Sequence, residues 1–235
     1  MPCWTSPARA LPGSSRCSSA RSTPARRRSS FSEPPLVLAT ANRAKAGEMA
    51  ALLVGVPFSI RSLADYPGLT LPPEGATSYA DNALVKARSV AAATGALALA
   101  DDSGIEVDAL GGRPGLLSAR YGGPDLSDAE RCAVMLREIR DVPRERRSAR
   151  YRCVIALREP GGREATVEGL VEGVLLDAPR GSGGFGYDPL FYYPPLGATF
   201  AELAPEVKNA VSHRGRALVR ARAVLLRWRA DGAPP

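Results

Sequence analysis

A short apolar run, Leu97 to Ala100, ends in two adjacent carboxylates, Asp101 and Asp102, with Ser103 and Gly104 next. No other stretch restricts the fold as much. Four apolar residues bounded by polar ones read as a buried strand. Acids at the end of such a strand are held by a rigid element yet open onto a cleft, where an α/β protein keeps its chemistry. Asp, Ser and Gly are also ordinary turn formers. Taken alone, the stretch reads equally well as a turn, after which Ile105 to Leu110 resume an apolar pattern.

Short strands and helical periods alternate around it. Leu36 to Thr40 reads as a strand, Ala41 to Lys45 as a polar turn, and a helix follows to about Leu53 with Ala46, Met49, Ala50 and Leu53 inward. A lysine and free N–H groups at a helix start suit an anion, although the stretch lacks the glycines of a Walker A loop. Phe58 to Leu63 reads as a second strand, and a Pro/Gly-rich loop from Tyr66 to Gly75 carries Glu74. Thr77 or Ser78 caps the next helix. Its apolar stripe is Tyr79, Ala83, Ala87, Val90 and Ala91, with Asp81, Lys86 and Arg88 off it, and Gly95 stops it.

A further helix spans Asp125 to Arg140, capped near Ser127, with Ala133, Met135, Leu136 and Ile139 inward. Tyr151, Cys153, Ile155 and Leu157 alternate with arginines, Pro160 to Arg163 makes a turn, and Thr166 to Leu176 returns with Glu168 and Glu172. This predicts an antiparallel hairpin with facing Arg and Glu rows. Arg180 to Asp188 sets four glycines around Phe185, a composition that lets backbone approach a ligand closely. A final helix begins near Arg214, burying Ala217, Leu218, Ala221, Val224, Leu225 and Trp228 and turning five arginines to solvent. Lys208, His213 and Arg214 gather at its start, the helix end that disfavours cations unless an anion is present.

Composition narrows the function. The formal charge of +7 suggests nucleic acid, but residues 1–34 hold six arginines against one acid, so most of the excess belongs to that Ser/Arg/Pro-rich stretch. That stretch is expected to be disordered. A bland extension is favoured over an organelle transit peptide, and a cytoplasmic location follows. Cys3, Cys17, Cys132 and Cys153 are scattered and there is one histidine, which argues against zinc. Cys132 and Cys153 read as buried apolar groups. No apolar run approaches the ~18 residues of a membrane span.

The polar stations combine into one chemistry. Lys45, Lys208 and Arg214 suit a polyphosphate. Glu74 and Asp102 suit a hard divalent ion such as Mg²⁺. Phe185 suits stacking on a flat base.

These stations resemble the inosine/xanthosine triphosphate pyrophosphatase family, which hydrolyses non-standard purine nucleoside triphosphates. The matching motifs are Thr40–Lys45; Glu74 with Asp81–Ala83 and Lys86–Arg88; Ala100–Gly104; Gly112–Gly115 with Ser118–Tyr121; Gly183–Pro189; and Ser212–Gly215. They lie in the family's order over roughly residues 36–229. Tyr79 and Asp81 depart from the family's usual Phe and Glu. The resemblance implies a two-lobed α/β fold with a long mixed central sheet flanked by helices, and an active site in the inter-lobe cleft. It implies Asp102 as catalytic base, and Glu74 and Asp102 as Mg²⁺ ligands. It implies substrate contacts from Thr40, Ala41, Asn42, Arg43, Ala44, Lys45, Ser103, Phe185, Gly186, Tyr187, Asp188, Lys208, His213 and Arg214. Asp101 would turn away from Asp102 and support the turn. Lys45 and Lys208 would stabilise the leaving pyrophosphate, and His213 and Arg214 would read the purine. The domain would span residues 35–230, with 231–235 a tail, and the protein would be a homodimer without a stable nucleic-acid partner. A Maf-like pyrophosphatase of modified pyrimidine nucleotides and a nucleic-acid-binding protein are the rival readings. The motif order and the Ser212–Gly215 station disfavour the first, and the lack of aromatic–basic interleaving disfavours the second.

Overall fold

The computed structural model describes residues 33–75 and 77–232. The expectations for residues 1–32 and 233–235 fall outside them. Seven strands form one mixed sheet: β1 (Pro35–Leu38), β2 (Ser59–Ser62), β3 (Leu97–Val107), β4 (Ser148–Arg158), β5 (Glu164–Leu175), β6 (Phe191–Tyr193) and β7 (Ala198–Thr199), in the order β2-β1-β3-β4-β5-β6-β7. β1 runs parallel to β2 and β3, and every pair from β3 onward is antiparallel.

Alternation along the central strands divides the core. Leu36, Leu38, Leu97 and Leu99 point to one face, where α1 (Arg43–Leu52) and α5 (His213–Ala230) cover them with Met49, Ala217, Leu218, Leu225 and Trp228. Val37, Ala39, Ala98 and Ala100 point to the other, under Ala83, Ala87, Val90 and Ala91 of α2 (Tyr79–Thr94). Alanine on both sides brings α2 close to the sheet. A third cluster fills the far half, where Ile105, Val107, Tyr151, Val171, Phe191 and Phe200 pack with Cys132, Met135 and Ile139 from the segment that includes α3 (Asp128–Glu138).

Local signals placed most of these elements. The Ser78 hydroxyl caps α2 by accepting the Asp81 N–H, and Gly95 ends it in a left-handed conformation. Ser127 and Glu130 close a capping box on α3. The β4–β5 hairpin has the expected turn. Both cysteines within the described residues are buried and free.

Four expectations need correction. The Asp101–Gly104 stretch is no turn. β3 continues through it, with Asp101 opposite Ile155, Asp102 opposite Val154 and Gly104 opposite Arg152. β4 satisfies the backbone there, so turn-forming residue types stay extended. Gly104 is needed for a different reason: an added Cβ would lie 2.2 Å from the Gly115 carbonyl oxygen and 2.7 Å from Ser118 Oγ. The Arg and Glu rows of the hairpin pair only in part, because Arg150 reaches Asp108 and Arg152 divides between Glu106 and Glu168. Acids at the end of β3 and just beyond it compete with those of β5. On α3 it is Cys132, not Ala133, that is buried. Finally, Lys208 belongs to a separate short helix, α4 (Pro205–Val211); Ser212 ends it and caps α5 by accepting the Gly215 N–H.

Helix α5 lies directly on β5 at Gly169, where a Cβ would stand 2.1 Å from the His213 carbonyl oxygen and 2.5 Å from the Ala217 nitrogen. Both obstacles are backbone, so the helix itself must move. Gly169→Ala is expected to destabilise the protein by about 1–3 kcal/mol in chemical denaturation. Gly161→Ala, with nothing within 4 Å of the new methyl, is the control that leaves the midpoint unchanged. Equal midpoints for the two variants would contradict this packing.

Candidate active site

β1 stops at Leu38 while β3 runs on to Val107. Beyond the Leu38–Leu99 pair, no strand among the described residues continues beside the β1 side of β3, where only Pro114 bridges Glu106. This leaves a crevice past the carboxyl ends of the parallel strands, the place where open α/β sheets bind ligands. Alternation along β3 sends Asp101 and Asp102 to opposite sides of the sheet, as expected.

On the Asp101 side the charges are dense. The Asp101 carboxylate is fully buried, 3.1 Å from Lys45 Nζ and 3.2 Å from an Arg214 nitrogen. Ser103, two residues on, donates its hydroxyl to Asp101 at 3.2 Å and accepts from Arg214 at 3.0 Å. Burial alone would push the Asp101 carboxyl up, but Lys45 and Arg214 hold it well below the usual carboxylate range. Asp101 therefore positions two cations and supports no turn.

Glu48 ties in the remaining helices, accepting from Lys208 at 2.8 Å and from Arg214 at 2.5 Å. Lys208 also donates to Asp188 at 2.5 Å. Asp188 in turn accepts the Phe185 N–H at 2.9 Å, which folds the glycine-rich loop back on itself. The Phe185 ring lies over both cations, 4.6 Å from Lys208 Nζ and 5.5 Å from Arg214 Cζ. His213 stacks on Tyr151 at 4.5 Å. Burial, with Arg214 and Lys208 nearby, keeps its imidazole neutral far below the usual range. Asn42, Ser118, Phe185, Lys208, His213 and Arg214 line a cavity of about 170 Å³.

The Asp102 side is different. Asn82 donates to Asp102 at 2.9 Å, and Lys86 Nζ lies 3.6 Å from Asp102 and 2.8 Å from Glu74. Burial raises the Asp102 pKa, opposed by Lys86 and Asn82. Glu74 is lowered: burial pushes it up, but Lys86 outweighs it. Two carboxylates thus share one ammonium. Among the described residues no group of three or more acids, cysteines and histidines surrounds a metal position. That donor set fits a hard ion held by one or two carboxylates, with its other positions left for water and phosphate oxygens.

The other expected residues fall around this crevice. Asn42 caps α1 by accepting the Lys45 N–H at 3.1 Å, and Thr40 Oγ1 accepts the Asn42 N–H at 3.2 Å. Ala41, Arg43 and Ala44 are exposed at the same helix start. Tyr187 donates to the Ser118 carbonyl at 2.9 Å, and Gly186 forms the rim. Arg214 already spends both terminal nitrogens on Glu48, Asp101 and Ser103, leaving Nε as its buried unpartnered donor.

Three residues of the site were given no role in the reading of the sequence: Glu48, and Asn82 and Lys86, which lay within the matching motifs. Lys86 was placed off the apolar stripe of α2 but is buried there. Its spacing carried a signal, since Asn82 and Lys86 are four apart and share one helix face. Glu48 likewise follows Lys45 by three. Lys86 is the cation that restrains Asp102. In Lys86→Met, the Asp102 carboxyl is expected to titrate at higher pH than in the parent protein, measured by carboxyl ¹³C NMR. An unchanged or lower titration point would contradict that role.

The chain is similar to known proteins over most of its length. The sequence profile of the Ham1 family matches residues 36–224. A dITP/XTP pyrophosphatase of Geobacter sulfurreducens is 54% identical over 183 residues, covering 78% of this chain and 92% of the relative. One from Thermus thermophilus is 50% identical over 200 residues, covering 85% and 94%. Among solved structures, a HAM1 protein from Coxiella burnetii superimposes with a TM-score of 0.76 at 40% identity, covering 83% of this chain and 99% of that one. With matches that span the whole sheet and every station of the crevice, the chain belongs to the Ham1 family.

Proposed function

We propose that this protein hydrolyses the non-standard purine nucleoside triphosphates ITP, dITP and XTP to the monophosphate and pyrophosphate. The observation that carries the reading is the division of β3. A carboxylate pair lies on one side, and a buried set of cations under an aromatic ring lies on the other. The names of the relatives support the substrate class.

In this reading the triphosphate lies along the start of α1. Backbone N–H groups there and the Lys45 ammonium face its oxygens. Glu74 and Asp102 would hold Mg²⁺, which when bound would neutralise phosphate charge and lower the cost of forming the leaving group. Asp102 takes the proton of the attacking water. Asn82 and Lys86 fix its orientation. Lys45 stabilises the charge that develops on pyrophosphate. Lys208 is better placed for the base than for the phosphates, because it is held between Glu48 and Asp188 beneath Phe185.

Discrimination against adenine follows from the buried nitrogens left unpartnered, Arg214 Nε and His213 Nδ1. Hypoxanthine and xanthine carry an oxygen at C6 that suits such a donor; guanine carries it too and is set apart by its C2 amine. Adenine carries an amine there, and an unpaired buried donor costs roughly 1–3 kcal/mol. We place the activity in residues 35–230, in keeping with the profile match from residue 36 to 224. We infer a cytoplasmic homodimer with no stable nucleic-acid partner, on the family resemblance. No helix among the described residues is long and apolar enough to cross a membrane.

Pyrophosphate release measured across ITP, XTP, dITP, GTP and ATP, with and without Mg²⁺, tests the assignment. Release is expected from the first three and only with the ion. Asp102→Asn should lower kcat by about 10²–10⁴-fold while ITP still binds. Near-normal turnover in that variant would remove Asp102 as the base.

A further inference from the structure

Phe185 and Gly186, together with Asp128 of α3, border two cavities. In front lies the candidate substrate cavity. Behind lies a second space of about 320 Å³, bordered by Cys132, Leu136, Pro179 and Pro189 as well as by the loop itself. Gly183 is tied to the Ala201 carbonyl at 2.9 Å, and the Phe185 N–H to Asp188 at 2.9 Å. Gly186 adopts a positive φ of +61°, and a Cβ added there would meet nothing within 4 Å. The carbonyl of the Phe185–Gly186 peptide accepts the Asp188 N–H at 3.3 Å within the loop, and two further bonds to Gly186 come from α3. The Asp128 carboxylate accepts the Gly186 N–H at 2.6 Å, and the Cys132 thiol, 3.4 Å away, donates to the Gly186 carbonyl.

The start of α3 is a firm anchor for this grip. Arg131 is buried and donates to the carbonyls of Tyr121, Gly123 and Leu126 at 2.6–3.1 Å. The Ser127–Glu130 capping box fixes the first turn, which begins with Asp128. Burial pushes the Cys132 thiol up to about 11, so it remains a donor at neutral pH. Asp128 and Cys132, which also line the rear cavity, thus tie Gly186 to α3.

We propose that Asp128 is a positioning residue: it latches Gly186 to α3, keeps the Phe185 ring against the front cavity, and thereby sets the affinity for the flat base of the substrate. Asp128 acts through Gly186 and takes no part in the chemical step. The effect on substrate rests on the pyrophosphatase reading; the latch itself does not.

The test compares Asp128→Ala with Asp128→Asn, which keeps an acceptor oxygen, in the full-length protein. Hydrogen exchange of residues 181–187 in the free protein is expected to quicken in D128A and to match the parent in D128N. With ITP and Mg²⁺, D128A should raise KM by about fivefold with kcat within about twofold, and D128N should restore KM. Asp128→Leu, close to aspartate in shape and without an acceptor, replaces D128A if the alanine variant does not fold. Unchanged loop exchange in D128A overturns the latch. Faster exchange with unchanged KM overturns its role in base affinity. A D128N variant as impaired as D128A shows that charge, not hydrogen-bond acceptance, matters, and also overturns it. Should the parent protein release no pyrophosphate from any purine triphosphate, the functional reading fails while the exchange experiment still decides the latch.

Discussion

The buried Asp101 carboxylate between Lys45 and Arg214 is the interaction on which the site depends. It ties the start of α1 and the start of α5 to the middle of β3. Burying such a set costs desolvation that attraction barely repays, so its net contribution to stability is small. Removing one member is different, because it strands the others unpaired, at a cost of about 3–5 kcal/mol. What the arrangement provides is geometry. Lys45 and Arg214 are long, flexible side chains with many rotamers, and Asp101 selects one for each. The pH dependence follows in sign. A carboxyl depressed in the folded state contributes fully at neutral pH and loses its contribution as pH falls below about 4.

β3 organises the rest by being a strand where its residue types favour a turn. Had the chain turned at Ser103, Asp101 and Asp102 would have lost their fixed opposition. As an extended strand it sends one acid to the cation cluster and the other to Asn82, Lys86 and Glu74. Two adjacent aspartates thus receive opposite surroundings, one depressed and one raised. This separation puts the acid best suited to hold cations and the acid best suited to accept a proton in neighbouring positions.

The sequence was most readable where structure is set locally. The Ser78 and Gly95 boundaries of α2, the 160–163 turn and the period-three-and-four face of α5 all depend on neighbours along the chain. The motif order also exposed most of the crevice, since the stations at the start of α1, on β3 and in the glycine-rich loop carry distinctive residues. Asp101 was misread because its partner Arg214 is 113 residues away, and no local preference records it. Lys86 and Glu48 look like members of solvated helix faces. They are drawn inward only by Asp102, Glu74, Lys208 and Arg214, which the fold brings to them. Residue type announced the chemistry, while long-range pairing decided which acid performs which part.

The central claim is that Asp101 acts through the cations it holds, on binding rather than on chemistry. Calorimetric titration of Asp101→Asn with an ITP analogue carrying a methylene bridge between the α and β phosphorus atoms tests this most directly, since no hydrolysis intervenes. The expected result is a loss of affinity of about tenfold or more, together with lower thermal stability. Parent-like affinity and stability in that variant would show that Lys45 and Arg214 hold their positions without Asp101.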